Sequence, residues 1–455
     1  MTMTSPQVRP DDVAAARDVL REIVALTPLL HSRVLSDRLG GPVFLKCENL
    51  QRTGSFKPRG AYLRISRLTP AERERGVVAA SAGNHAQGVA FAAALLGIKA
   101  TVVMPAGAPL PKIEATRSYG AEVILTGETV EHALEAALAH ASDHGPVFIH
   151  PFDHPDVVAG QGTVGLEITE QCPQVRTIAV PVGGGGLAAG IAVAVSGASP
   201  GVKVVGVQAE ASACYPVSLA AGHPVRITAA GTMADGIAVS QPGDIGYEII
   251  SRHAVRMVTV SEETLSRALL LCLERSKQVV EPAGAAGVAA LLEHPEAFEP
   301  PVVAVLSGGN IDPLLLAKVL RHGLSAAGRY LMFRCRIADR PGALATLLGE
   351  LAGLGANVLD VVHPLWLCLK QTDHRRDEAE AWVCARLPSI LGHWRDQRGF
   401  DFDLSKSIAE PRLQGTEMWL SILYLMADLI GCADVLGYKP RGVHRLEAVA
   451  SLPKP

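Results

Sequence analysis

Between residues 42 and 325 short apolar runs alternate with helix-like stretches, and several of the runs end in turns rich in glycine, serine or asparagine. The runs are Val77 to Ser81, Ala100 to Met104, Val123 to Leu125, Val147 to His150, Ile178 to Val182, Val204 to Val207 and Val302 to Leu306. Helical patterns such as Thr129 to His144 and Glu262 to Lys277 fall between them. Strands joined through helices pair in parallel, so the pattern predicts an α/β fold of open parallel sheets with helices on both faces. Ligands bind such sheets outside the carboxyl ends of the strands, where the glycine turns fall.

Four turns carry residues with chemistry to offer. Ser55-Phe56-Lys57-Pro58-Arg59-Gly60 follows the apolar pattern Pro42 to Glu48 and sets a lysine amine in a Gly/Pro-punctuated turn, as a Schiff-base lysine requires. Gly183-Gly184-Gly185-Gly186-Leu187 lies between the run Thr177 to Val182 and the helix-like Leu187 to Val195. Backbone N–H groups of such a turn converge on an anion at a helix N-terminus. No Lys-Ser/Thr pair follows, so it is not a nucleotide P-loop. Ser307-Gly308-Gly309-Asn310 ends another strand and offers a hydroxyl to a ring nitrogen, although alone it would read as a β-turn serine. An amine, a phosphate cradle and a ring-nitrogen partner are what pyridoxal phosphate needs. Serine in that last role does not enforce a protonated ring, which favours β-elimination over transamination.

The fourth turn is Ser81-Ala82-Gly83-Asn84-His85-Ala86-Gln87-Gly88, opening an alanine-rich helix from Ala86 to Leu96. Its backbone N–H groups and the Ser81 hydroxyl suit a substrate carboxylate, and the Asn84 amide suits a cofactor oxygen. The His85 side chain is expected at the surface.

These stretches resemble the fold-type II pyridoxal-phosphate enzymes (tryptophan synthase β-like), most closely the threonine/serine ammonia-lyases in their bacterial form with a C-terminal ACT domain. Further matching stretches are Thr27-Pro28-Leu29, Lys46 to Gln51, Asp235-Gly236-Ile237-Ala238 and Glu281-Pro282-Ala283-Gly284, so the likeness runs over about residues 10 to 363. The resemblance implies Lys57 as the cofactor's lysine and base, Phe56 beside the ring, Asn84 at the phenolate oxygen, Gly183 to Leu187 at the phosphate and Ser307 at the ring nitrogen. Ser81, Ala82, Gly83, Asn84 and His85 would hold the substrate carboxylate, with Ser81 also counted as catalytic. The implied reaction turns L-threonine into 2-oxobutanoate and ammonia, with L-serine to pyruvate beside it.

Related serine racemases have a second serine in the 81 to 85 turn, where this chain has Ala82, so racemisation is expected to be poor. Metal-binding members have an acidic residue near the end of the Val202 to Val207 run; here Gln208 precedes Glu210, and no metal is assigned. An O-acetylserine sulfhydrylase, a threonine synthase, a serine racemase or a non-catalytic amino-acid sensor are the competing readings. A homodimer or homotetramer is implied.

At 455 residues the chain has room for two or three domains. A net charge of −3 leaves no footprint for nucleic acid. Eight cysteines without a C-x-x-C pair fit reduced thiols in a cytoplasmic protein and argue against structural zinc. The longest uncharged stretch, Thr177 to Val202, is interrupted by Pro181 and glycines, so no membrane span is expected, and the N-terminus lacks a signal pattern.

The expected domains are residues 1–326, catalytic, with two α/β subdomains; 329–363, the first half of a ferredoxin-like ACT domain; and 364–455, an unassigned tail. Gly323 to Gly328 reads as the break between the first two. Asp339-Arg340-Pro341-Gly342 resembles an ACT effector turn, implying isoleucine or valine as effector, with a purely structural dimerisation element as the alternative. All four tryptophans and three of the eight cysteines lie beyond His363. Gln371 to Glu380 is almost wholly polar, Leu387 to Ser407 shows no clear period, and Met418 to Gly437 is apolar enough for a helix. A reading-frame shift near codon 364 would explain this change of character and leave an active, weakly regulated lyase; a lineage-specific extension is the other reading. An adjacent frame of the DNA is expected to encode a strand-helix-strand pattern after His363. Its absence from both alternative frames, with a protease-resistant tail, would restore the extension.

Overall fold

The computed structural model describes residues 7–228, 230–326, 329, 376–392 and 413–436. It divides into two compact units, Met1–Leu331 and Met332–Pro455. The expected ACT segment therefore lies outside the described residues, Arg329 excepted.

Ten strands lie among the described residues of the first unit: β1 Leu29–His31, β2 Val43–Lys46, β3 Val77–Ala80, β4 Ala100–Met104, β5 Glu122–Leu125, β6 Val147–Phe148, β7 Thr177–Pro181, β8 Lys203–Ala209, β9 Arg256–Val260 and β10 Val302–Val305. They form a six-stranded sheet in the order β1-β2-β10-β7-β8-β9 and a four-stranded sheet in the order β5-β4-β3-β6. Every pairing is parallel except β1 with β2. Two open sheets thus stand where the βα alternation predicts them. The sequence pattern did not mark β1 and β9: β1 is only three residues long, and β9 begins on the exposed Arg256 at a sheet edge.

Both sheets are covered on both faces, which is why their strands read as unbroken apolar runs. Successive side chains of a strand point to opposite faces. Accordingly, Ile178 and Val180 of β7 enter one core with Val303 and Val305 of β10, while Ala179, Val302 and Ala304 enter a second. In the smaller sheet Val77 and Ala79 join Val102 on one side, and Val78 and Ala80 join Val103 on the other. Glycine allows the helices on the large sheet to approach closely. A Cβ on Gly190 would lie 2.3 Å from the carbonyl oxygen of Val158, so helix Gly186–Ala198 rests directly on helix Pro155–Gln171.

Several boundaries differ from expectation. Lys57 is the first residue of helix Lys57–Ser66, where Pro58 is tolerated because a first-turn N–H has no helical partner anyway. Helix Pro313–Ala326 runs through Gly323, whose missing Cβ leaves room for the Ser266 carbonyl, so the helix takes in residues 323 to 326 of the stretch expected to separate the domains. In the second unit Arg376–Leu391 and Leu413–Leu429 are helices, and the first takes in part of the polar run and the aperiodic stretch. They bury Trp382, Val383, Trp419, Ile422 and Met426 together. Among the described residues no helix is long and apolar enough to cross a membrane.

One buried ionic network ties the first unit's elements together. Arg59, fully buried, donates from Nε and Nη2 to Glu48 (both 2.8 Å) and from Nη1 and Nη2 to Glu167 (2.6 and 3.0 Å). Lys46 at the end of β2 donates to Glu167 at 2.5 Å, and Thr27 Oγ1 to Glu48 at 2.5 Å. Burial alone would raise the Glu48 pKa, but the Arg59 charge and hydrogen bonds overcome it and hold the carboxylate below its ordinary 4.5. A depressed carboxylate stabilises the fold above its unfolded pKa and loses that contribution as pH falls through the folded value. Glu48→Gln is expected to cost roughly 3–5 kcal/mol at neutral pH and to flatten the loss of stability below pH ~4.5. Urea unfolding of both proteins between acid and neutral pH measures it.

Candidate active site

The four motif turns meet at the carboxyl ends of β2, β3, β7 and β10, around a cavity of about 270 Å³. Phe56, Lys57, Ser81, Ala82, Gly83, Asn84, His85, Gly183, Gly184, Gly185, Gly186, Leu187 and Ser307 all line it. The fold brings together every residue singled out from the sequence for this site, across some 250 positions of chain.

Two helices aim their N-termini at the cavity without side-chain caps. Helix Asn84–Leu95 starts after Gly83, and helix Gly186–Ala198 after Gly185, which adopts φ +102°. First-turn N–H groups without caps are ready donors to an anion. The glycines of the second turn are enclosed: a Cβ on Gly184 would fall 2.2 Å from the Phe152 ring, and one on Gly185 1.9 Å from the Tyr215 hydroxyl. Tyr215 donates that hydroxyl to the Gly184 carbonyl at 3.1 Å, and Gln208 accepts from the Tyr215 N–H at 2.9 Å. Gln208 Nε2 also donates to Val182 O at 3.3 Å, so this side chain serves the phosphate-type turn. Among the described residues no group of His, Cys, Asp and Glu side chains is assembled that could hold a metal ion.

Lys57 Nζ donates to the Pro151 carbonyl at 2.9 Å and lies 5.2 Å from the centre of the Phe56 ring. Burial lowers its pKa to about 8 against the opposing pull of Glu281. An amine so placed is a nucleophile near neutral pH. Asn84 Nδ2 donates to Glu281 Oε1 at 2.5 Å, and Asn310 Nδ2 donates to Asn84 Oδ1 at 2.8 Å. Burial, and then Asp235, push the Glu281 carboxyl up to about 7, with Lys112, Asn84 and Lys57 pulling the other way.

His85 is a correction. Its ring is buried rather than at the surface, Nε2 donates to the Ile149 carbonyl at 2.8 Å, and burial lowers its pKa to about 3. It stands in the first turn of a helix whose start faces inward, so its side chain has no route to solvent. Ser81 Oγ accepts from the Gly83 N–H at 3.1 Å, fixing the turn.

The cavity also holds residues the sequence did not single out as ligands, among them Phe152, Gln161, Lys112 and Glu131. Gln161 Oε1 is buried without a partner and would sit 2.8 Å from a Cβ on Gly186. An unpaired amide oxygen is an acceptor, so it suits a group that brings a hydrogen-bond donor to the cavity. An enclosed amine, a glycine cradle with open N–H groups and Ser307 together fit pyridoxal phosphate.

Known proteins agree with that fit. Residues 20–308 match the model of a family described as pyridoxal-phosphate dependent enzyme. The L-threonine ammonia-lyase of Thermotoga maritima is 50% identical over 353 residues, which are 78% of this chain and 88% of that protein. The crystal structure of the threonine deaminase from T.th. superimposes with a TM-score of 0.64 at 44% identity, covering 67% of this chain and 99% of the other. Maize serine racemase superimposes with a TM-score of 0.65 at 32% identity over 70% and 99% of the two chains. With the family model spanning more than half of its residues and the cavity furnished as that cofactor demands, this chain belongs to the pyridoxal-phosphate dependent enzymes.

Proposed function

We propose that this chain is a threonine ammonia-lyase, converting L-threonine to 2-oxobutanoate and ammonia by β-elimination, with L-serine to pyruvate as a side activity. The observation that carries the proposal is an amine of lowered pKa set between two uncapped helix N-termini, one suited to a phosphate and one to a carboxylate. A threonine ammonia-lyase half identical to the chain supports the substrate.

When bound, pyridoxal phosphate supplies the carbonyl that takes up the substrate's amine and the ring that draws electrons from Cα. The N–H groups of Gly183 to Leu187 would hold its phosphate, the Asn84 amide and Ser307 would orient its ring, and Phe56 would flank it. The turn Ser81 to His85 receives the substrate carboxylate. Lys57 would hold the cofactor's carbonyl carbon at rest and accept the Cα proton during turnover; burial, which lowers its pKa to about 8, suits it to act as a base near neutral pH. The Cα proton and the β-hydroxyl would leave together as one water, return of the Lys57 amine to the cofactor would displace the product as an enamine, and addition of water to that enamine gives the keto acid and ammonia.

The regulatory reading rests on sequence alone: residues 329–363 as a partial ACT domain, isoleucine or valine as effector, a homodimer or homotetramer in the cytoplasm. For residues 364–455 the frame shift is supported by the change in composition. The helix pair with its shared apolar core favours the alternative, an extension with structure of its own.

Lys57→Ala is expected to lose the visible imine absorbance and to lower keto-acid formation by roughly 10³-fold or more. A mutant that keeps a borohydride-reducible adduct on another lysine refutes the assignment. Ala82 offers no hydroxyl to reprotonate Cα from the face opposite Lys57. Chiral assay of L-serine turnover should therefore find little D-serine, and Ala82→Ser should raise its share.

A further inference from the structure

Three carboxyl groups, Glu131, Asp235 and Glu281, line the cavity, against two ammonium groups, Lys57 and Lys112. Lys57 is committed to chemistry at Cα. A zwitterionic substrate entering this space meets three carboxyl groups, and, with the glycine turn left to a phosphate, one region among the described residues remains for its carboxylate. That region is the turn Ser81 to His85 together with Lys112, whose Nζ lies 3.8 Å from where a Cβ on Gly83 would stand. Lys112 belongs to helix Leu110–Ser118 beside the smaller sheet, and reaches across to Asp235 on the large-sheet side at 3.3 Å.

The two ends of this ion pair differ in kind. The Lys112 side chain is 14% exposed and Asp235 58% exposed. Asp235 is largely hydrated, so the attraction between them is screened and worth little. Lys112, by contrast, is held inside the cavity beside the N–H groups at the start of helix Asn84–Leu95. A carboxylate there would face an ammonium and a helix N-terminus at once, a stronger partner than a hydrated aspartate.

We propose that Lys112 is a substrate-positioning residue: it leaves Asp235 to bind the carboxylate of the incoming amino acid against the Ser81 to His85 turn. The proposal rests on the lyase reading above. It makes recognition of the carboxylate a two-sided grip, backbone N–H groups from one side and a mobile cation from the other. The same movement exchanges a contact across the cavity for a contact with substrate.

The test compares L-threonine with threoninol, which keeps the amine and hydroxyl and lacks the carboxylate. In the holoenzyme, Lys112→Gln is expected to retain the imine absorbance, to raise KM for L-threonine about tenfold or more, and to change kcat much less. The spectral Kd of threoninol should be unchanged, and Lys112→Arg should recover most of the lost affinity. Asp235→Asn serves as the second variant: it removes the ion pair but keeps the cation, and should leave KM for L-threonine equal or lower. Unchanged KM in Lys112→Gln, equal weakening of threoninol, or an Asp235→Asn variant as impaired as Lys112→Gln would overturn the proposal, the last by showing that the ion pair itself matters. If wild-type enzyme forms no keto acid from threonine or serine, the lyase reading fails separately. Lys112 is then judged by the spectral change that amino acids induce.

Discussion

Two residues beyond the reactive amine, the Arg59 guanidinium is gripped by carboxylates from two directions. Glu48 comes from the 3₁₀ turn after β2, and Glu167 from the middle of helix Pro155–Gln171. Taking an arginine out of water costs several kcal/mol, and the cost is offset only where geometry and hydrogen bonding are complete. Here five donor-acceptor contacts to Glu48, Glu167 and Thr163 meet that condition. The first turn of helix Lys57–Ser66 is thereby fixed to β2 and to the long glycine-containing helix, and Lys57 has little freedom but to enter the cavity. The position of Lys57 follows from an ionic lock whose members do not line the cavity.

Anion recognition rests on a different physical device. Both helix starts at the cavity lack the side-chain caps found elsewhere in this chain, as at Thr69, Thr129 and Ser261. Leaving those N–H groups open costs stability of about 0.5–2 kcal/mol per missing cap. Ligand oxygens take the place of the cap, so part of the binding energy replaces what the apoprotein forgoes.

The parallel sheets and the motif turns were legible in the sequence because local periodicity and glycine placement report on backbone geometry directly. The edge strand β9 and the antiparallel β1 were not, since short edge strands have only weak alternation. Nor was the inward turn of His85, which depends on which way a helix faces. Lys112, Asp235 and Glu281 come from three separate elements and meet only through tertiary structure. Glu281 was visible inside a recognisable tetrapeptide, but its burial and its bond to Asn84 belong to the fold. Phe152 and Gln161 have no motif around them at all.

The low basicity of the Lys57 amine bears on how the protein acquires its cofactor. Burial, which lowers its pKa to about 8, leaves a larger share of the Lys57 amine neutral at pH 7 than an ordinary lysine has. The newly folded chain is thus primed to condense with aldehydes at neutral pH without assistance, and equally exposed to stray cellular carbonyls. On the proposed assignment of Lys57, discrimination between them would fall to the glycine turn: an aldehyde without a phosphate would find no hold beyond a reversible bond to the amine.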